Sequence, residues 1–211
     1  MEKTMSPSET ETMSRGQITK IYELLEHGLL KTGLPKGQSQ EVIESQGANM
    51  VKAFIADFRK RVEALMEMIF RIVHADVSLT AQATLDATGR TQYTDREVVN
   101  SMPRGKDEPT TVYIFKPRPE AYDRDGYLTN AKLAEEYEFN GLTPVDPFSL
   151  AKIHIDDPAF SDDRPVGTHW KNADGKWCCA AFDRWSGERS VGVRLDEGDW
   201  GGSWSFGGVR E

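Results

Sequence analysis

The fold of this chain depends most on the stretch Thr168-His-Trp-Lys-Asn-Ala-Asp-Gly-Lys-Trp-Cys-Cys-Ala-Ala-Phe-Asp-Arg-Trp185, which is followed by glycine-rich sequence up to Glu211. This C-terminal part holds all five tryptophans of the chain: Trp170, Trp177, Trp185, Trp200 and Trp204. A tryptophan carries a large apolar surface and one N–H group that needs a partner when it is buried. The cluster therefore predicts either the core of a small sheet or an aromatic binding surface.

Turn signals divide this region into strands. Asp174-Gly175 and Ser186-Gly187 are dipeptides typical of hairpin turns, and a third turn is indicated at residues 196–199. Residues 161–211 therefore predict an antiparallel β-meander, with Trp200, Trp204 and Phe206 on one face of its last strand. The segment has few Leu or Ile, so we expect its rings to form most of its core. Trp185, beside a turn, is the ring expected to be exposed. The candidate binding residues are Trp185, Trp200 and Trp204.

Two helices are predicted before this region. Residues 1–13 are polar and read as a disordered tail, and residues 14–66 predict a helical hairpin. Ser14 and Gln17 form a capping-box pattern, and Gly33 with Pro35 ends the first helix. Apolar residues recur at helical spacing in both helices, and we expect them to pack in a core. They are Ile18, Ile21, Leu24, Leu25 and Leu29, then Val42, Ile43, Met50, Val51, Phe54, Ile55 and Phe58, with Val62, Leu65 and Met66 as an extension.

The segment 67–160 alternates helical and strand patterns. Residues 68–75 and 111–116 predict two strands that could pair with each other, because β-branched and aromatic residues crowd together in both. Helices are predicted from Ser78 or Thr80 to Leu85, over 94–101, over 129–140, and after Asp146-Pro147. The whole chain therefore predicts an α+β fold. One compact unit, a division near residue 67 and a division near residue 160 are all compatible with the sequence.

Composition argues against several classes of function. The chain has 211 residues and a formal net charge of −8, so nucleic-acid binding by phosphate neutralisation is disfavoured. No apolar run is long enough to span a bilayer, and the first residues lack the apolar core of a secretory signal. Cys178 and Cys179 are adjacent, which suits neither an unstrained disulfide nor a metal site. We expect a soluble cytoplasmic protein without a cofactor, with no nucleic-acid or membrane partner.

One group of residues resembles a catalytic site. An unperturbed histidine side chain titrates near neutral pH, so His169 could act as a general base, with Asp174 or Asp183 orienting its ring and Cys178 or Ser186 as nucleophile. Asp162 and Asp163 are further acids near His169 in sequence. No nucleophile-elbow motif supports these roles. We favour His169 as a partly buried strand residue and the aspartates as turn formers. The acids at 156, 157, 162 and 163 are paired and interrupted by prolines, so a solvated loop is favoured over a metal site.

Four phrases of the chain resemble an uncharacterised family of short bacterial proteins. They are Ala87-Thr-Gly-Arg-Thr-Gln-Tyr93, Met102-Pro-Arg-Gly105, Gly141-Leu-Thr-Pro-Val-Asp-Pro-Phe-Ser-Leu150 and Gly167-Thr-His-Trp-Lys-Asn-Ala-Asp-Gly-Lys-Trp-Cys178. The resemblance covers residues 15–210 and implies a bacterial origin. It implies no activity, cofactor or site residue.

Three functional hypotheses follow. The leading one is a non-catalytic interaction protein that binds a protein partner through its aromatic meander. The second is a small hydrolase or transferase, which needs a pocket that contains His169 with an acid within hydrogen-bonding distance. The third is a carbohydrate-binding module, which needs at least two exposed and roughly coplanar tryptophan rings.

Overall fold

The computed structural model of the chain describes residues 13–63, 68–198 and 200–210. Most of the predicted N-terminal tail (residues 1–12), Leu65 and Met66 of the predicted helix extension, and Asp199 of the third turn lie outside the described residues. The chain divides into two compact units, and the boundary falls between Arg61 and Val62.

The first unit contains helix α1 (Arg15–Leu30) and all but the last two residues of helix α2 (Lys36–Glu63). The predicted capping box is confirmed: the Ser14 hydroxyl accepts a hydrogen bond from the Gln17 amide, and the Gln17 side chain accepts one from the Ser14 amide. These two bonds satisfy amides that have no partner within the helix. After α1, Gly33 takes φ +63°, a left-handed conformation that suits glycine in the turn towards α2.

The apolar faces of these two helices are exposed, so the prediction that they pack in a core is wrong. Among residues 13–59, 61 and 62, whose burial is described, none is buried, and the half-buried ones are Ile21, Ser39, Gly47 and Phe58. A helical apolar pattern specifies which side of a helix faces an apolar surface. It does not specify whether the same chain supplies that surface, and two helices alone leave much of each stripe uncovered.

The second unit is built on a large mixed sheet. Its strands run in the order β1-β3-β10-β6-β7-β8-β2, β5 pairs with β10, and β4 and β9 form a separate pair. The strands are β1 (Met68–Val73), β2 (Thr91–Thr94), β3 (Thr110–Phe115), β4 (Tyr127–Leu128), β5 (Thr143–Pro144), β6 (Val166–Lys171), β7 (Trp177–Trp185), β8 (Glu188–Leu195), β9 (Trp200–Gly201) and β10 (Ser205–Val209). The helices are α3 (Ala81–Ala87), α4 (Arg96–Asn100), α5 (Asn130–Phe139) and α6 (Pro147–Asp156), with a short 3₁₀ turn at Pro119–Ala121.

The predicted α+β fold is confirmed, and so is much of its local structure. β1 and β3 pair antiparallel, and β6, β7 and β8 form an antiparallel meander. Thr80, Thr129 and Asp146 cap α3, α5 and α6. The strand β2 was not predicted. It ends at Thr94, where a helix was expected to begin, because Asp95 rather than Thr94 caps α4.

The predicted last strand is divided, and it does not extend the meander. Trp200 lies in β9, a turn closed by the Trp204 amide bonding to the Gly201 carbonyl follows, and Phe206 lies in β10. β10 pairs antiparallel with β3 and parallel with β6, not with β8. The main chain approaches its neighbours closely there, since a Cβ at Gly207 would lie 2.8 Å from Cγ1 of Val145. Because Gly207 has no side chain, β10 can occupy its central position in the sheet, between β3 and β6.

The sheet buries residues on both faces. Along β7, Cys178, Ala180 and Phe182 join a core with α3, α4 and α6, whereas Cys179 and Ala181 join a second core with Leu133, Tyr137 and Phe206. Successive strand residues point to opposite faces, so the adjacent cysteines belong to different cores. Aliphatic residues from 69–153 supply much of this packing, and Trp200 is the tryptophan that becomes buried.

Candidate functional site

The five tryptophans do not form one surface. Trp185 stands at the tip of the β7–β8 hairpin and is 70% exposed, beside the turn in which Ser186 and Gly187 both take positive φ. Trp200 is buried and Trp204 is half-buried. Trp185 lies six positions after Cys179 along extended β7, a span of about 20 Å. Trp185 therefore belongs to a different part of the surface from the other two.

A cleft lies where Trp200 and Trp204 meet the other end of the meander. Its volume is about 360 Å³, at the lower end of the size of small-ligand pockets. We call it the tryptophan cleft. Its lining residues are Cys179, Ala181, Arg194, Leu195, Asp196, Glu197, Trp200 and Trp204. Cys179 and Arg194 are opposite one another in the β7–β8 register, so the sheet itself forms one side of the cleft.

The indole of Trp200 is held from several directions. Its Nε1 donates to the Asp196 carboxylate at 3.0 Å, and its ring packs edge-on against Phe206 at a centroid distance of 5.0 Å. It also lies against Gly167, where a Cβ would be 3.0 Å from Cη2 of the indole. The ring of Trp204 meets that of Trp200 at 75°. Trp200 is therefore a fixed wall of the tryptophan cleft.

Charged groups surround the aromatic walls. Arg194 and Glu197 are exposed, and the half-buried Asp196 accepts hydrogen bonds from the Gly198 amide and from Trp200. Burial raises the pKa of Asp196 above its usual range, although both hydrogen bonds and Arg194 oppose that shift. The tryptophan cleft thus combines two indoles with one guanidinium and two carboxyl groups.

His169 is buried next to this region, on β6. Its ring stacks on Trp177 at 4.4 Å and on Tyr137 at 5.5 Å, and its Nδ1 lies 3.2 Å from Oδ1 of Asn130. Burial lowers the pKa of His169 to about 4, so the ring is neutral at pH 7. Because an amide oxygen only accepts, Nδ1 carries the proton and Nε2 keeps its lone pair. Nε2 has no hydrogen-bond partner among the described residues.

The predicted acids do not surround His169. Asp174 is exposed in the β6–β7 turn, and the side chain of Asp183 accepts a hydrogen bond from Ser190. Asp162 pairs with Arg184 and Arg189. In the parts of the chain that the structure describes, none of the three hydrogen-bonds to His169, and an amide occupies the place of the orienting acid.

The predicted nucleophiles are also separated from His169. Ser186 is at the hairpin tip and Cys178 points into the opposite core. Cys179 is the register partner of His169, but burial raises its pKa to about 12, so it remains a thiol at neutral pH. The arrangement supplies neither an activated nucleophile nor a base held by a carboxylate.

Sequence reasoning missed several residues that this site uses. Arg194, Asp196 and Asn130 were not singled out, although the acidic turn directly before Trp200 was a usable signal. Asn130 has no such signal, because it precedes His169 by 39 residues.

A contact between a buried histidine and a serine was not predicted either. His154 is buried, with Nε2 2.5 Å from Oγ of Ser161 and Nδ1 2.9 Å from the Leu150 carbonyl oxygen. Its ring stacks on Phe182 at 4.1 Å, and burial lowers its pKa to about 3. Both side chains are inaccessible and no carboxylate bonds to the ring in the described contacts, so the pair supports the core.

Within residues 13–63, 68–198 and 200–210, no group of three or more His, Cys, Asp or Glu side chains is placed to hold a metal ion. The same ranges contain no helix with the length and apolar character needed to cross a membrane.

Comparison with known protein families, curated proteins and solved structures finds no match for this chain, so the site is interpreted from its own geometry.

Proposed function

We propose that this chain is a non-catalytic binding protein whose tryptophan cleft receives an apolar anchor side chain of a protein partner. The observation that carries the proposal is the fixed cleft of about 360 Å³ with indole walls and a charged rim. Anchor pockets of protein interfaces combine aromatic walls with arginine in the same way, and a single buried side chain then contributes much of the affinity. Trp200 needs no rearrangement to receive it, which lowers the entropic cost of binding.

The charged rim favours a partner segment with polar groups beside its anchor. Arg194 is exposed and offers a planar fork of donors to a carboxylate or main-chain carbonyl of the partner. Glu197 is exposed on the same cleft and offers acceptors to main-chain amides. An apolar anchor flanked by polar contacts is the composition typical of interface centres and their rims.

The two other hypotheses receive less support from the geometry. A sugar platform needs coplanar exposed rings, whereas Trp200 is 5% exposed and meets Trp204 at 75°. A hydrolase needs His169 close to an acid and an activated nucleophile, whereas Asn130 faces that ring and Cys179 stays protonated.

A random peptide library displayed against the full chain tests the proposal. We expect selected peptides to share an apolar anchor and to lose about tenfold or more in affinity with Trp204→Ala or Arg194→Ala. Trp185→Ala is the matched control, because it removes an exposed indole far from the cleft. Thermal melts establish that each variant is folded.

Three results would count against the proposal. Selection could yield no binding peptide, or peptides could bind the Trp204→Ala and Trp185→Ala variants equally well. A panel of sugars that changes the fluorescence of wild-type protein but not of the Trp204→Ala variant would assign the cleft to carbohydrate instead.

A further inference from the structure

The two indoles of the tryptophan cleft stand nearly at right angles to each other. Trp200 and Trp204 meet at 75° with their ring centroids 4.9 Å apart, and both rings line the cleft. A group lodged in the angle between two such rings lies against a π face, which carries partial negative charge. An indole face attracts a cation that lies within about 6 Å of the ring centroid. The aromatic walls therefore suit a positively charged group as well as an uncharged apolar one.

The charged groups of the cleft favour the positively charged occupant. Asp196 and Glu197 contribute two carboxyl groups and Arg194 one guanidinium, so the lining residues that the structure describes carry a formal excess of one negative charge. The Asp196 carboxylate accepts its hydrogen bonds from two uncharged donors, the Gly198 amide and the Trp200 indole. These bonds hold the carboxylate at the indole wall without neutralising its charge.

Burial leaves the charge of Asp196 incompletely stabilised. Burial has the largest effect on this carboxyl group and raises its pKa, and Arg194 lowers that pKa less than the hydrogen bonds do. A cation brought alongside Asp196 in the cleft would favour the ionised form of the carboxyl group. An uncharged anchor would instead bury the carboxylate further without compensation. Asp196 therefore gains more from a cationic anchor than from an uncharged one.

The same surroundings disfavour an unmodified ammonium group. A lysine ammonium has three N–H donors and is strongly hydrated, so it needs acceptors wherever it loses water. The indole walls offer no acceptors, and each oxygen of the Asp196 carboxylate already accepts a hydrogen bond. Methylation replaces the donors by apolar surface and keeps the positive charge. A methylated ammonium group therefore packs against the indoles without losing hydrogen bonds.

We propose that the anchor received by the tryptophan cleft is a trimethylated lysine side chain of the partner protein. This inference rests on the proposed function, because it specifies the anchor of the same cleft. The methyl groups pack against Trp200 and Trp204, and the positive charge lies near Asp196 and Glu197. Arg194 is exposed, so water and salt screen its repulsion of the anchor, and its donors stay available to the main chain of the partner.

Three short glycine-rich peptides test the identity of the anchor. They differ only in the central residue, which is trimethyllysine, lysine or leucine, and calorimetry measures their binding to the full chain. We expect the trimethyllysine peptide to bind about tenfold or more tightly than either of the others. The leucine peptide controls for burial of apolar surface without charge, and the lysine peptide controls for charge without methyl groups.

Two substitutions separate the effect of charge from that of the aromatic faces. Glu197→Gln should weaken binding of the trimethyllysine peptide about threefold or more and leave binding of the leucine peptide unchanged. Glu188→Gln is the matched control, because it makes the same change at an exposed residue at the opposite end of β8. Trp204→Leu keeps an apolar wall but removes a π face, so it should abolish the preference for trimethyllysine over leucine.

The inference fails alone if the leucine or lysine peptide binds as tightly as the trimethyllysine peptide, or if Trp204→Leu keeps the preference for trimethyllysine. It also fails alone if none of the three peptides binds although peptides selected from the random library do. Free choline that binds as tightly as the trimethyllysine peptide would assign the cleft to a small quaternary ammonium compound rather than to a partner side chain. If neither the three peptides nor any library peptide binds, the proposed function fails together with the inference.

Discussion

Asn130 joins His169 to the turn that borders the tryptophan cleft. Its Oδ1 faces Nδ1 of His169 at 3.2 Å, while its Nδ2 donates to the Asp196 carbonyl oxygen at 3.3 Å. One amide from the start of α5 thereby fixes the protonated nitrogen of a buried histidine and holds the segment from which Asp196 and Glu197 enter the cleft. This buried link is the basis of the first prediction.

Asn130→Ala should destabilise the protein by about 1–3 kcal/mol, because the buried Nδ1–H of His169 loses its acceptor. The measurement is the free energy of unfolding in urea. Asn172→Ala, in the β6–β7 turn, is a control for amide removal outside the buried link. If ligand binding at the cleft is measured with the peptides described above, Asn130→Ala should weaken it as well. Equal stability of Asn130→Ala and wild type would contradict the role of the amide.

The two buried histidines should make the protein sensitive to mild acid. Burial holds the pKa of His169 at about 4 and that of His154 at about 3, both below the ordinary value of 6.5. As the pH falls below 6.5, the unfolded chain takes up protons that the folded chain does not bind. Stability is therefore fully present above pH 6.5 and decreases towards pH 4, by at most about 1.4 kcal/mol per pH unit for each histidine.

Urea unfolding at intervals between pH 7 and pH 4.5 measures this slope. His169→Asn should reduce the slope by up to one proton while leaving the contribution of His154 in place. A slope unchanged by that substitution would mean that His169 is not buried in its neutral form.

Glu136 should depend on Arg118 for its charge. Glu136 is buried, and its carboxylate accepts from Nε, Nη2 and the main-chain amide of Arg118, at 3.1, 2.7 and 3.0 Å. Burial alone raises the pKa of Glu136, but the hydrogen bonds and charge of Arg118 bring it below its usual value. Arg118→Ala leaves the buried carboxylate with only the main-chain amide of residue 118 as donor, and we expect a loss of stability at pH 7 that is moderated because Arg118 is partly exposed.

This loss should shrink at low pH, where Glu136 is protonated in the variant. Unfolding free energies at pH 7 and pH 5 measure the difference, and Glu136→Gln in the Arg118→Ala background should recover part of the stability. A loss that is independent of pH and of that second change would show that packing of Arg118 on Phe139, 3.5 Å from the ring centroid, is the main effect.

Gly207 should not tolerate a side chain. A Cβ there would lie 2.8 Å from Cγ1 of Val145 and 3.2 Å from Cδ1 of Leu150, and the Gly207 carbonyl oxygen also accepts from the Tyr137 hydroxyl. Gly207→Ala should cost about 1–3 kcal/mol through overpacking. Gly202→Ala is the matched control, since its Cβ would meet nothing within 4 Å. Similar melting temperatures for the two variants would contradict the close approach of β10.

The sequence predicted structure best where the cause is local. The capping pairs at Ser14, Thr80 and Asp146 and the turn at Asp174-Gly175 are confirmed because each signal lies within a few residues of what it controls.

The partner of β10 was not predictable in this way. Its neighbours β3 and β6 are distant from β10 in sequence. The glycines of β10 allow the close approach, but the sequence does not indicate which residues they pack against. The tryptophan cleft could not be predicted for the same reason, since its residues come from β7, β8 and the segment around β9. The exposure of α1 and α2 was not predicted, because helical periodicity identifies the apolar side of a helix but not what packs against that side.

The position of β10 has a consequence for how the sheet is completed. In the described pairings, β10 alone connects the β1–β3 pair with the strands from β6 to β2. It is also the last described strand to leave the ribosome. The two half-sheets therefore keep unpaired edges until residues 205–209 have been synthesised. Unpaired strand edges are sites at which incompletely folded chains aggregate. A chain that lacked residues 205–209 would keep both of these edges unpaired, so its two half-sheets could not join into one.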